Sequence, residues 1–166
     1  MKLYLKQKVF SWKDRSVVTD ANGEPRYNVE GKVLSVGKKL TVTDPAGGEV
    51  AFIRQKVLSF MPRFFVEVNG TEVAEIVKKL SLFKPKYMVK GLDWSVSGDV
   101  FGHNYTIEDA SGRTMVAIHK KWMSWGDSFE LDISPEANVP VALGVVLAID
   151  AVLDAQQAAA SSSSSS

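Results

Sequence analysis

The stretch NVPVALGVVLAIDAVLDAQQ, residues 138–157, decides the fold. From Val139 to Leu153 it carries one charged residue, Asp150. A membrane-spanning helix needs about 20 apolar residues, and this apolar run is shorter and ends in Asp150 and Asp154. A helix lying on a membrane surface needs one polar face, whereas this stretch is apolar nearly all round. Apolarity on every side is typical of a helix that is buried inside a protein.

The preceding residues predict β strands that can cover this helix. Apolar and polar residues alternate in LYLKQKV, KLTVTD, RFFVEV and TEVAEIV, which is the period of half-buried strands. Between the strands, DANGEP, DPAGGE, VNGTE and DASGR place Asp or Asn close to Gly. Such sequences favour hairpin turns, because Gly accepts positive φ and the Asx side chain bonds its own backbone. The pattern predicts an antiparallel all-β domain.

An internal repeat constrains the topology. Residues 43–68 match residues 108–133 at a constant offset, so that Asp44 corresponds to Asp109 and Ile53 corresponds to Ile118. Two related β units are too few for a solenoid or a propeller. They suit one closed sheet with a pseudo-two-fold.

We therefore predict an all-β fold with one helix: a closed antiparallel β barrel of about twelve strands, with two internal repeats, around a helix from about Val139 to Asp154. Asn138 or Ser134 is expected to cap the helix, and Pro140 fits its first turn. Asp150 should lie near the barrel mouth or find a hydrogen-bond partner, since an unpaired buried carboxylate is costly. The helix residues expected to be buried are Leu143, Val146, Leu147 and Ile149, against strand residues such as Ile53, Phe64, Ile118 and Phe129.

The composition is that of one globular domain. The chain has 166 residues, of which 45% are hydrophobic and 23% are charged. We expect the barrel and helix to occupy residues 1–155 and a flexible Ala/Ser tail to occupy residues 156–166. The absence of cysteine excludes disulfides and thiolate metal sites. The N-terminal MKLYLKQKVFSWKD lacks the continuous apolar core of a signal peptide, which favours a cytoplasmic location.

Motifs for catalysis are not found in the sequence. His103 and His119 are its two histidines, and no phosphate-binding loop, dinucleotide motif, calcium loop or nucleophile elbow occurs. We expect no catalytic residue, no metal and no cofactor. An enzymatic hypothesis would require a pocket that joins one histidine to a carboxylate with a perturbed pKa.

Clustered lysines beside aromatic residues are the candidate binding feature. Lysines near an anionic membrane contribute about 1 kcal/mol each, so we predict an anionic-lipid patch. Alternatively, strand lysines keep the barrel wall soluble and block edge pairing, while the aromatics point inward. Single-stranded nucleic acid also binds lysines with aromatics, but a net charge of +1 disfavours it. The candidate patch comprises Lys78, Lys79, Lys84, Lys86, Lys120 and Lys121, near Phe83, Tyr87, Trp122 and Trp125.

Several blocks in order resemble the LURP-one-related family, particularly its bacterial members. They are LKQKVFSW, YNVEGKVLSVGKKLTVTD, AFIRQKVLSFMPRFFV, VSGDVFGHNYTI, IHKKWMSWGDSFELDI and VLAIDAVLD, and they cover residues 2 to about 154. That family belongs to the tubby C-terminal-like superfamily, which also holds the phospholipid scramblases. The resemblance implies a twelve-stranded barrel around a hydrophobic C-terminal helix and implies no reaction. The lipid-site motif of tubby domains and the calcium motif and cysteine cluster of scramblases do not occur here.

Two functions of different classes are compatible with these observations. The first is a non-enzymatic binding module for anionic phospholipid or a membrane surface, cytoplasmic and peripheral to the membrane. The second is an intracellular scaffold that docks a protein partner, which an exposed aromatic patch would favour. The sequence predicts no transmembrane segment for either function.

Overall fold

The computed structural model describes residues 1–6, 15–34, 37–79, 81–83, 86–123 and 126–163. They form a closed barrel in which every strand pairs antiparallel with its sequence neighbours and β1 pairs with β12. The predicted fold is confirmed. Its elements are β1 (Lys2–Lys6), β2 (Arg15–Thr19), β3 (Pro25–Leu34), β4 (Gly37–Thr43), β5 (Glu49–Gln55), β6 (Arg63–Val68), β7 (Thr71–Lys79), β8 (Lys86–Lys90), β9 (Trp94–Asp99), β10 (Asn104–Glu108), β11 (Thr114–Met123), β12 (Gly126–Ile133) and α1 (Val139–Ser163).

The two repeats fold alike. In the β4–β5 turn, Asp44 Oδ1 accepts a hydrogen bond from the backbone N–H of Gly48 at 2.8 Å. In the β10–β11 turn, Asp109 Oδ1 accepts the equivalent bond from Arg113 at 3.0 Å. The same turn chemistry therefore sets the register of both units.

The helix fills the barrel. The four helix residues predicted to be buried are at most 4% exposed, and they share one core with the four predicted strand residues. The helix is long and apolar enough to cross a membrane by composition alone, but 67% of its most apolar 18-residue window is buried inside the barrel. Gly144 permits close packing, because a Cβ at this position would lie 2.7 Å from Cγ1 of Val66. The helix is thus the central part of the core.

The ends of the helix follow from local chemistry. Asn138 is the N-cap, since its Oδ1 accepts a hydrogen bond from the N–H of Val141 at 3.1 Å. Pro140 lies in the first turn as predicted. Ser134 instead accepts a hydrogen bond from the N–H of Glu136, before the helix begins.

The predicted helix end near Asp154 is wrong, because the helix continues to Ser163. Alanine has the highest helix propensity, which favours extension through residues 158–160. The hydroxyls of the next three residues donate hydrogen bonds to carbonyls three residues earlier, as recorded for Ser161, Ser162 and Ser163.

The barrel has two chemically different ends. We call the end where α1 begins the base; the β2–β3, β4–β5, β6–β7, β8–β9 and β10–β11 turns lie there. We call the opposite end, where α1 emerges after Leu153, the mouth. At the mouth, the helix is surrounded by the ends of the strands that the β3–β4, β5–β6, β7–β8, β9–β10 and β11–β12 connections join.

Candidate functional site

Lysine pairs of like charge lie at the mouth. Lys79 on β7 is directly opposite Lys86 on β8. On the far side of β5 and β6, Lys32 on β3 is directly opposite Lys39 on β4. Like charges in directly opposite positions destabilise a sheet. Both pairs therefore carry an electrostatic cost that a bound anion would relieve.

In an acidic pair elsewhere in the barrel, the repulsion between like charges is offset by a residue of opposite charge. Glu67 on β6 lies opposite Glu72 on β7. The guanidinium of Arg54 bridges the two carboxylates at 3.1 and 2.9 Å. Within the described ranges, no carboxylate forms a recorded ion pair with either member of the Lys79–Lys86 pair or of the Lys32–Lys39 pair.

The structure brings together part of the predicted lysine patch. Lys79 and Lys86 are exposed, and Lys78 is half-buried opposite the buried Tyr87. Lys120 and Lys121 are exposed on β11, separated from β8 by β9 and β10, although they lie at the same end of the barrel. The predicted Lys84 lies outside the described residues.

The predicted aromatics divide between core and surface. Tyr87 is 2% exposed, so an inward orientation is right for it. Phe83 and Trp122 are exposed, so the inward orientation is wrong for them. Trp125 lies outside the described residues.

Exposed apolar side chains concentrate at the mouth. Ten large hydrophobic residues are exposed in the described part of the chain, and two of them, Met1 and Val17, lie away from the mouth. The other eight lie at the mouth ends of strands or among the described residues that connect them. They are Val33, Val57, Leu58, Phe60, Leu82, Phe83, Phe101 and Trp122.

Leu58 is the most unusual of these residues. It is fully exposed, and its φ of 60° lies in the left-handed region that favours glycine or asparagine. A strained backbone that presents an apolar side chain to water stabilises neither the loop nor the core. Such outliers concentrate at binding sites.

The rim of the mouth is rich in lysine and the base in carboxylates. The turns of the base use Asp20, Asp44 and Asp109 as hydrogen-bond acceptors. Carboxylates near the mouth include Asp154, which pairs with Lys38 at 3.1 Å, and Asp99, which accepts a hydrogen bond from Gly102. Among the described residues, the lysines at the mouth are Lys6, Lys32, Lys38, Lys39, Lys56, Lys78, Lys79, Lys86, Lys120 and Lys121.

A polar pair, in which Asp150 is buried and His103 is half-buried, lies beneath the mouth. Nε2 of His103, in the β9–β10 connection, is 2.9 Å from Oδ1 of Asp150 on α1. The imidazole stacks on Phe129 with ring centroids 4.3 Å apart. Burial raises the pKa of Asp150, and the hydrogen bond from His103 opposes that rise. Asp150 thus has the hydrogen-bond partner expected from the sequence.

This pair meets the electrostatic condition of the enzymatic hypothesis but favours a structural role. Asp150 is inside the barrel, and His103 is held between this carboxylate and the Phe129 ring. Burial raises the pKa of the neighbouring Tyr105 well above its ordinary value, so its hydroxyl stays protonated. His119 is exposed on β11, where its Nδ1 is 2.9 Å from Oδ1 of Asn104. The contact between His103 and Asp150 therefore holds the β9–β10 connection against the helix.

Sequence reasoning missed the Lys32–Lys39 pair and the exposed residues Leu58, Phe60 and Leu82. The residue opposite Lys39 depends on the register of the β3–β4 hairpin, which the local sequence does not determine. A local signal existed for Leu82 and Phe83, because SLFKPK places two apolar residues beside a proline within a lysine-rich segment.

Comparisons with known proteins agree with the fold and show the family. The LURP-one-related family model matches residues 1–150. The uncharacterized protein YxjI of Bacillus subtilis strain 168 is 35% identical over 153 residues, which cover 92% of this chain and 94% of YxjI. An X-ray structure of an Arabidopsis thaliana protein has the same fold, with a TM-score of 0.68 and 18% identity over 92% of this chain and 90% of that chain. The match over nearly the whole chain shows that this protein belongs to the LURP-one-related family.

Proposed function

We propose that the mouth of the barrel binds anionic phospholipid at a membrane surface and that the protein acts as a non-enzymatic binding module. The observation that carries this proposal is the presence of two directly opposed lysine pairs at one end of the barrel. A phosphate group between the two ammonium groups of a pair converts repulsion into two favourable contacts. Several lysines at one end also let a flat anionic surface attract all of them at once.

A net charge of +1 is sufficient for binding to an anionic membrane, because the charges are unevenly distributed over the barrel. Carboxylates concentrate in the Asx turns of the base, away from the mouth. The resulting charge asymmetry orients the molecule as it approaches an anionic surface. Because exposed charges more than about 10 Å apart are screened at 0.1 M salt, the nearest lysines contribute most.

Vesicle flotation tests the proposal. The protein should float with phosphatidylcholine vesicles that contain phosphatidylglycerol at physiological salt, and it should not float with phosphatidylcholine alone. Failure to bind any anionic vesicle, with cardiolipin and phosphoinositides included, would refute it.

A charge-matched pair of variants locates the binding end. Lys79→Gln/Lys86→Gln removes two charges at the mouth and should weaken binding by roughly tenfold or more, from about 1 kcal/mol per lysine. The control Arg26→Gln/Lys90→Gln removes two exposed charges at the base, and its binding should be unchanged. Thermal unfolding should show that the mouth variant is at least as stable as the wild type, because like-charge repulsion is relieved. Equal weakening of both variants would refute a site at the mouth.

A scaffold that docks a protein partner is the second candidate function. The exposed aromatics at the mouth support it, since such side chains also form protein interfaces. This function predicts a salt-resistant partner in a pull-down from native cytosol and no flotation with anionic vesicles.

A further inference from the structure

We propose that the apolar tips of the mouth connections insert below the headgroups of an anionic bilayer, with the barrel axis along the membrane normal. This inference rests on the proposed function and adds to it a penetration depth and an orientation. The tips are the exposed side chains of Leu58, Phe60, Leu82, Phe83 and Trp122.

The tips have almost no protein contact to lose. Leu58 and Phe60 are 101% and 103% exposed, and Leu82 and Phe83 are each 94% exposed. Removing apolar surface from water is favourable in proportion to its area. Insertion therefore gains the full transfer free energy of these side chains without unpacking the core.

The arrangement of the tips fits a plane better than a groove. They come from different connections around the helix: Leu58 and Phe60 from β5–β6, Leu82 and Phe83 from β7–β8, and Trp122 from the end of β11. A partner protein that contacted all of them would need a ring-shaped surface around the emerging helix. A bilayer contacts all of them at once.

Charge complementarity favours an anionic bilayer as the occupant. Lys56 lies two residues before Leu58, and Lys121 lies directly before Trp122. Lys79 and Lys86 flank the connection that carries Leu82 and Phe83. Each tip thus has a lysine close behind it, and long lysine side chains can reach phosphates at the interface while apolar neighbours lie deeper.

The emerging helix is compatible with this orientation. Its last turns, from Ala155 to Ser163, carry no charged side chain. They can therefore enter the bilayer together with the tips without desolvating a charged side chain, which would be costly. The tryptophan at position 122 belongs to a residue type that is enriched at membrane interfaces.

Site-specific labelling measures the depth directly, because the chain has no cysteine. Phe60→Cys and Phe83→Cys would each carry an environment-sensitive NBD fluorophore. Ala46→Cys, in an exposed turn of the base, is the matched control. With phosphatidylcholine/phosphatidylglycerol vesicles, the two mouth labels should shift to the blue and be quenched by lipids brominated on their acyl chains. The base label should do neither.

The same samples distinguish the two proposals. If the labelled proteins do not float with the vesicles, the proposed function fails. If they float while the mouth labels stay in water, insertion fails and surface binding stands. Shielding of the mouth labels without vesicles, together with a dimeric mass by light scattering, would identify a second copy as the occupant and overturn insertion.

Serine substitutions provide a second test. Leu58→Ser/Phe60→Ser should weaken binding by about tenfold or more, since it removes the apolar surface that insertion takes out of water. The loss should persist at 0.5 M salt, where lysine contacts are screened. Val17→Ser, an exposed apolar position on the barrel wall, should bind like the wild type. An unchanged affinity for the double variant would overturn the proposal.

Discussion

Oδ1 of Asp150 lies 2.9 Å from Nε2 of His103. Asp150 is the one charged residue among the buried residues of α1, and the β9–β10 connection supplies its partner. Tyr105 and Asp154 lie near Asp150, and a charge on Asp154 further raises the pKa of Asp150. The pair makes stability depend on pH.

The direction of this dependence follows from the raised pKa of Asp150. The folded protein holds the Asp150 proton more tightly than the unfolded chain. The stabilisation that protonated Asp150 provides is therefore fully present below the pKa that Asp150 has in the unfolded chain. It is lost as the pH rises through the pKa that Asp150 has in the folded protein. We expect Asp150→Asn to be more stable than the wild type at neutral pH, and the difference should shrink towards pH 4.

Denaturant unfolding of both proteins between pH 4 and pH 7 measures this difference. His103→Ala is the companion variant. It should be more destabilising at neutral pH than at pH 4, because at neutral pH it leaves the buried carboxylate of Asp150 without this partner. A stability difference between Asp150→Asn and the wild type that is the same at every pH would contradict this account.

A substitution at Leu147 tests whether the helix is part of the core that stabilises the fold. It is 0% exposed, so Leu147→Ala should lower the free energy of unfolding by roughly 2–5 kcal/mol. Leu82→Ala, at a 94% exposed position, should change it by at most about 0.5 kcal/mol. Chemical denaturation of both variants checks the contrast. A small effect at Leu147 would mean that the helix is dispensable to the core.

Gly144 and Val66 should be energetically coupled. A methyl group added at Gly144 meets Cγ1 of Val66 at 2.7 Å, and a β-branched side chain cannot easily move away. Gly144→Ala should therefore destabilise by about 1–3 kcal/mol despite its higher helix propensity. In a Val66→Ala background the same change should be neutral or stabilising. Additive effects of the two substitutions would contradict this packing.

The sequence predicted the fold because the decisive signals are local. The apolarity around Leu147 requires a cover, and Asp44 and Asp109 mark equivalent turns in two repeats. The helix end was predicted too early, because a Ser-rich segment was taken as a polar tail. Ala158 to Ala160 have strong helix propensity, and each following serine hydroxyl bonds a carbonyl of the preceding turn.

The candidate site could be predicted only in part, because it depends on which strands meet. Lys79 and Lys86 are close in sequence, so their cluster was visible. Whether they are directly opposed depends on the register of β7 and β8. The exposure of Phe60 was not predictable, since an aromatic residue near a strand is usually buried. That the tips share one end of the barrel follows from the closed up-and-down topology.

In the membrane-bound state that we propose, the helix stays inside the barrel. A disulfide between the helix and the wall tests this claim in the cysteine-free chain. A Cβ at position 144 would lie 3.7 Å from Cβ of Ala51, which is close to the usual Cβ separation of about 3.8 Å in a disulfide. The variant is Ala51→Cys/Gly144→Cys, with Val66→Ala added to relieve the contact with the new side chain.

The decisive measurement is flotation of this variant with phosphatidylglycerol-containing vesicles, oxidised and reduced, after mass spectrometry confirms the cross-link. The account predicts that the cross-link forms and that both states bind with the same affinity. Binding that is lost on oxidation and restored by a reductant would show that the helix must leave the barrel, and would contradict the account.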